Sequence, residues 1–278
     1  MAADENGTGA AGAPSGEIAR MEDIHQIVSG MTQQRFLTDA GMALLPKRIG
    51  REGAELAART LSLITKGARG IVVLAAVTDP SITRTMPDDG IYLSAESDYL
   101  TDLEGCPALK HDTALGEALE AEGVYFSTAS SGKLSRGFDR NVLFPIIKEL
   151  FPETPVSAAL VKKGSRSMVS EFISACLKVR RAVVCVSELS SNMSIYETRG
   201  ADSTTLSKIL AEDPTIPDRY AESAPLVNAQ IIAGSNLFML PKIIKYGTHS
   251  KFHSFINVTG YAAVAYLLER RDALKADV

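Results

Sequence analysis

Three short runs constrain the fold of this chain more than any other feature. Ile71–Val77, Val156–Val161 and Ala182–Val186 are almost continuously apolar and rich in β-branched residues. A strand with one wet face alternates apolar and polar side chains, whereas a strand covered on both faces need not. The runs therefore predict central strands buried on both sides. Helical spacing lies between them. Glu52–Ile64 places Leu56, Arg59 or Thr60, and Leu63 at helical spacing, and His111–Glu122 ends at Gly123, a favourable helix stop. Ser165–Val179 carries Met168, Phe172, Ile173 and Cys176 on one stripe, and Asp202–Leu210 and Pro225–Leu240 complete the set. Strands alternating with helices predict an α/β fold. The expected form is a single domain with a central, mostly parallel or mixed β-sheet flanked by helices on both faces.

Two segments resist a simple reading. Pro145 is expected in the first turn of a short helix through Leu150, where its missing N–H costs nothing. In Phe255–Leu268, Ala262, Ala263 and Ala265 favour helix, while Ile256, Val258, Tyr261, Val264 and Tyr266 favour strand. Residues 1–19 are mainly small, polar and acidic, and are expected to form a disordered tail ahead of one domain over 20–278. No internal repeat and no Pro/Gly/Ser-rich linker divides that domain.

Composition narrows the function classes. Lysine plus arginine (29) against aspartate plus glutamate (33) gives −4, so neither nucleic acid nor an anionic membrane is an expected partner. No run of about 18 apolar residues predicts a membrane span. No basic-then-apolar start predicts a secretory signal. Three cysteines without a Cys-x-x-Cys pair suit a reducing, cytoplasmic setting. Cys176 and Cys185 sit in apolar runs and are read as core. Oligomeric state is not readable: the apolar stripe of Pro225–Leu240 is read as core rather than interface. The four histidines, His25, His111, His249 and His253, are a thin supply for a metalloenzyme that takes two or three as ligands.

In open α/β sheets, ligands collect beyond the carboxyl ends of the strands. Thr78, Asp79 and Pro80 follow the first run, and Glu188, Ser190, Ser191 and Asn192 follow the third. These are candidate site residues, although the same residue types are ordinary turn formers. Familiar motifs are absent: there is no phosphate loop, no Gly-x-Gly-x-x-Gly after the first run and no Gly-x-Ser-x-Gly. His249-x-x-x-His253 has the spacing of a helical metal pair. It lacks the Glu of His-Glu-x-x-His and lies where a helix is not expected.

Four segments, in order, resemble the Memo family, also known as protein B of the AmmeMemoRadiSam set and related in fold to class III extradiol ring-cleaving dioxygenases. Leu44-Leu45-Pro46-Lys47 with Gly53-Ala54-Glu55-Leu56-Ala57-Ala58 resembles the family's Pro-His-Ala-Gly segment and small-residue helix. Gly70–Val77 with Thr78-Asp79-Pro80 resembles its second strand and His-bearing turn. Ser187-Glu188-Leu189-Ser190-Ser191-Asn192, followed by Asp202 and a helix, resembles Ser-Asp-Leu-Ser-His-Tyr and the later Asp-led helix. Lys245-Tyr246-Gly247-Thr248-His249-Ser250 and Val258-Thr259-Gly260-Tyr261-Ala262-Ala263 resemble the family's closing Tyr-x-x-Ser and Val-Val-Gly-Tyr-Ala-Ala.

The departures fall on the metal ligands that the resemblance implies. Lys47 stands where the family has its first histidine, and Thr78 and Asp79 stand for those after the second strand. Gly137-Phe138-Asp139-Arg140-Asn141 replaces Glu-His-Ser-x-Glu, Glu188 and Ser191 replace Asp and His, and Asn228-Ala229 replaces Cys-Gly. An ammonium has no lone pair for a cation and repels it. The expectation is that no metal or other cofactor is used and that Lys47 pairs with Asp79 or Glu188 in the old metal position. Thr78, Phe138, Asn141, Ser191, Asn192, Asn228 and His249 would line the pocket. Arg48, Arg136 and Arg140 would be available at its rim.

Three readings stay open. The first is a Memo-like protein without its metal site, a pseudoenzyme binding a small molecule or a protein partner. The second is a metal-independent enzyme with Lys47, Asp79 and Glu188 as catalytic groups. Nearby carboxylates favour the charged amine, which argues against a lysine nucleophile there. The third is a dioxygenase-like enzyme holding a metal through His249, His253 and an acidic residue.

Overall fold

The computed structural model describes residues 18, 20–30, 40–47, 50–77, 83–84, 86, 88–95, 98–99, 101, 103–129, 140–250 and 255–268. The predicted runs form strands β2 (Gly70–Ala76), β7 (Val156–Lys162) and β8 (Arg181–Val186), which lie side by side in parallel. A fourth parallel strand, β1 (Met42–Leu45), joins β8. Their residues divide with period two between two cores. Ala43, Leu45, Val73, Ala75, Val184 and Val186 face one, and Met42, Leu44, Val72, Leu74, Val183 and Cys185 face the other. That double burial is why the runs lack polar alternation.

Antiparallel strands finish the sheet. β10 (Val258–Leu268) pairs with β1, and the long β9 (Met239–Ser250) pairs with β10 at one edge. At the other edge β3 (Gly90–Ser94) runs antiparallel to β7, and β6 (Ser127–Ala129) runs parallel to β3. The order is β6-β3-β7-β2-β8-β1-β10-β9. A separate ribbon joins β4 (Asp98–Tyr99) to β5 (Leu109–Lys110).

Helices cover both faces. α1 (Met21–Ser29), α2 (Arg51–Ile64) and α4 (Arg140–Leu150) close the first core with Ile24, Leu61, Ile64, Phe144 and Ile147. α3 (Leu115–Ala121), α5 (Arg166–Lys178), α6 (Ile195–Leu210) and α7 (Ala224–Asn236) close the second with Leu115, Phe172, Ile209, Leu226 and Ile231. The chain is thus an α/β domain with a mixed sheet between two helix layers, as the alternation predicts.

The structure corrects several boundaries. Pro145 lies inside α4, not in its first turn. Burial of Val142, Leu143, Phe144, Ile146 and Ile147 around it offsets the lost backbone hydrogen bond. α6 starts at Ile195, seven residues before the expected Asp202, because Ser194 and Glu197 form a reciprocal cap. The helix expected over His111–Glu122 is confined to Leu115–Ala121, and His111 instead bridges to Val156. The helix expected to reach Leu240 ends at Asn236, and Met239 already belongs to β9. The ambiguous final run is a strand from Val258, since pairing to both β1 and β9 outweighs alanine's helical preference. The expected tail at 1–19 falls almost wholly outside the described residues. No described helix is long and apolar enough to cross a membrane.

Candidate functional site

The carboxyl ends of the four parallel strands define the candidate site. Leu45, Val186, Ala75 and Leu160 align in register across β1, β8, β2 and β7. Two residues further along each chain stand Lys47, Glu188, Val77 and Lys162. The ladder continues past the strands, with the Ser187 N–H donating to Leu45 and the Val77 N–H to Val161. One row across the sheet edge therefore brings together two lysines and a buried carboxylate.

The segment after β8 is knitted to the start of α7. Ser187 Oγ donates to the Glu188 carbonyl at 2.7 Å and accepts the Ser223 N–H at 3.2 Å. The Glu222 N–H is shared between the carbonyls of Glu188 and Leu189. Those bonds fix Glu222 beside the end of β1, and Lys47 Nζ donates to its Oε1 at 3.0 Å. Both side chains are about three-quarters buried, with 22% and 25% exposed. Glu222 is thus one carboxylate partner of Lys47; of the two expected partners, Asp79 lies outside the described residues. Glu222 is 34 residues from Glu188 in sequence and no motif marks it, so only the tertiary fold reveals it.

Lys162, at the end of β7, is also buried. Its ammonium donates to the Met86 carbonyl at 2.6 Å and lies 3.8 Å from Asp89 Oδ1.

A second polar centre adjoins the first through Leu189 and Ser190. Asp202 is fully buried on α6. Its Oδ1 accepts the Ser190 N–H at 2.9 Å, and its Oδ2 accepts the Tyr246 hydroxyl at 3.0 Å. Backbone bonds tie Leu189 and Ser190 to Gly260. A Cβ on Gly260 would overlap the Asp202 carboxylate, so glycine is required there. Burial raises the Asp202 carboxyl above the usual range, against the pull of its Ser190 and Tyr246 hydrogen bonds. Burial and the facing Asp202 push the Tyr246 phenol up. The third and fourth segments of the Memo resemblance meet here, although Asp202 and Tyr246 were not among the expected site residues.

The remaining expected site residues scatter. Ser191 is half-buried beside Ser190, and Asn192 is exposed with a positive φ of 58°, as a turn residue. Asn228 is fully buried. Its Oδ1 accepts the Ile216 N–H and its Nδ2 donates to the Ile216 carbonyl, which pins the loop before α7. Asn141 is half-buried in the first turn of α4. His249 lies on β9, with its ring 6.1 Å from that of Tyr261. Thr78, Asp79, Phe138, Arg48, Arg136 and His253 lie outside the described residues, as does the Arg140 side chain. Burial pushes both Cys176 and Cys185 thiols up, which leaves them inert core residues.

Among the described residues, no three His, Cys, Asp or Glu side chains gather to hold a metal ion. Among the described residues at that edge, the Glu222 carboxylate is engaged by the Lys47 ammonium, a pairing unsuited to a divalent cation.

No protein-family model and no curated protein matches the sequence. In structure the chain is similar to an uncharacterised protein, JW3007, from Escherichia coli K12. The TM-score is 0.51 at 11% identity, covering 81% of this chain and 99% of that one. At that identity the likeness shows the α/β fold and nothing further.

Proposed function

We propose that this chain is a Memo-like protein without the family's metal site, which binds a small molecule or a protein partner at the carboxyl edge of its sheet. The ion pair between Lys47 and Glu222 carries the reading. It supplies a fixed positive charge at the strand end where the resemblance places a metal-binding histidine. The Lys47 amine is engaged with the Glu222 carboxylate, so the two side chains form a fixed polar pair at the strand end. That supports a binding role over a catalytic one.

Metal analysis tests the proposal. Purified protein, incubated with iron(II), zinc(II) and manganese(II) and then desalted, should hold far less than one ion per chain. None of the three ions should raise its melting temperature. A stoichiometric ion that is lost in the Glu188→Gln or His249→Ala variant would reverse the conclusion.

A further inference from the structure

Three helices of the layer that closes the second core meet around a trough of about 370 Å3. α5 supplies much of its lining, and the ends of α3 and α7 supply the rest. Its size falls within the range of roughly 300–1,000 Å3 typical of small-molecule sites. The polar side chains are Ser170, Glu171, Ser174 and Lys178 from α5, Glu122 from the end of α3 and Asn236 from the end of α7.

The charges along the trough do not balance. Two carboxylates, Glu122 and Glu171, stand with one ammonium, Lys178. The helix ends add to the negative side. Glu122 is the C-cap of α3, and Asn236 is the last residue of α7. A helix C-terminus carries partial negative charge and favours a cation, yet neither helix has a basic residue in its last turn. Glu122 therefore stands at the unfavourable end of its helix dipole. Folding alone does not call for that arrangement, and a bound cation would relieve it.

Spacing sets the length of the occupant. Lys178 Nζ is 3.8 Å from Glu122 Oε2, with the side chains 60% and 38% exposed, so the pair is weak and open to exchange. Glu171 precedes Lys178 by two helical turns, or about 10 Å along α5. Glu171 Oε1 accepts the Ser167 hydroxyl, a neutral donor, at 2.9 Å. The trough thus holds a carboxylate towards each end, and Ser170 and Ser174 share the α5 stripe that leads to Lys178. We propose that this trough binds a linear aliphatic polyamine. One terminal ammonium meets Glu122 in exchange for Lys178, the other meets Glu171, and Ser174 and Asn236 accept hydrogen bonds along its length. The site is independent of the reading given for the carboxyl edge.

Calorimetric titration of the full chain at fixed ionic strength with spermidine, ethylenediamine and hexylamine tests it. Spermidine should saturate at one per chain. Ethylenediamine is too short to reach both carboxylates and hexylamine carries one charge, so both should bind at least tenfold more weakly. Glu122→Gln and Glu171→Gln should each weaken spermidine at least fivefold. Lys178→Gln, which removes the competing ammonium, should tighten it at least threefold. Glu55→Gln makes the same change of net charge on α2, across the sheet, and should leave binding unchanged. All four residues are exposed, and circular dichroism checks the fold of each variant. No saturable binding, equal binding of spermidine and hexylamine, carboxylate variants that match Glu55→Gln, or weaker binding by Lys178→Gln would overturn the proposal.

Discussion

Asp202 is the side chain whose energy depends most directly on pH. It is fully buried, and burial raises its carboxyl above the ordinary value of about 4. A raised folded-state value means that the folded protein holds its proton more tightly than the unfolded chain. The resulting stability is fully present below the unfolded value and is lost as pH rises through the folded one. Asp202→Asn keeps an acceptor for Ser190 and cannot ionise. Urea unfolding from pH 3 to 7 should therefore show wild type losing stability relative to Asp202→Asn as pH rises above about 4. A constant difference would refute the assignment. Gly260→Ala, which drives a methyl into the same carboxylate, should cost about 3 kcal/mol.

Arg181 and Asp112 make the other costly residue pair. Arg181 donates from Nε to Oδ2 at 2.9 Å and from Nη2 to Oδ1 at 3.1 Å, with both side chains buried. Removing one partner strands a charge, so Asp112→Ala should lower the unfolding free energy by about 3–5 kcal/mol. The double change Asp112→Leu, Arg181→Met should cost less than the sum of the single changes, as a double-mutant cycle would measure.

Three helices in this fold stop without glycine. Arg180, Glu212 and Phe238 each follow a helix end with positive φ. A non-glycine residue in that conformation costs roughly 1 kcal/mol. Glu212 follows the end of α6. Glu212→Gly should raise stability by about 0.5 kcal/mol after glycine's larger unfolded-state entropy is counted. Glu212→Ala should stay near wild type in the same denaturation series. At the other end of α6, Ser194 accepts the Glu197 N–H and its own N–H donates to Glu197 Oε2. Ser194→Ala should cost about 1 kcal/mol. That cap was legible in principle as Ser-x-x-Glu. It was overlooked because Ile195–Gly200 lacks the apolar stripe that marks a buried helix.

At the scale of the whole molecule, one sheet separates two cores, and every central strand contributes alternate residues to both. Neither core can lose its wall without exposing the other, so unfolding should be one cooperative step. Val184→Ala and Cys185→Ala, one on each face, should lower the same denaturant midpoint by far-ultraviolet and tyrosine signals alike. Two separate transitions would show that the layers are independent.

The sequence by itself determined the alternation of strand and helix, because double burial leaves a continuous apolar run that no other strand environment demands. It also located the strand end where Glu188 stands, whereas Lys47 was singled out only through the resemblance and its strand was not foreseen. It could not decide the fate of Phe255–Leu268, whose alanines and β-branched residues balance until β1 and β9 are placed beside them. It missed β9, where the residues are half-buried and alternate weakly, and it could not supply Glu222 as the partner of Lys47. Local propensity acts over a few residues, whereas edge pairing, a buried Asp202 and an ion pair 175 residues apart depend on contacts that exist only once the layers have closed.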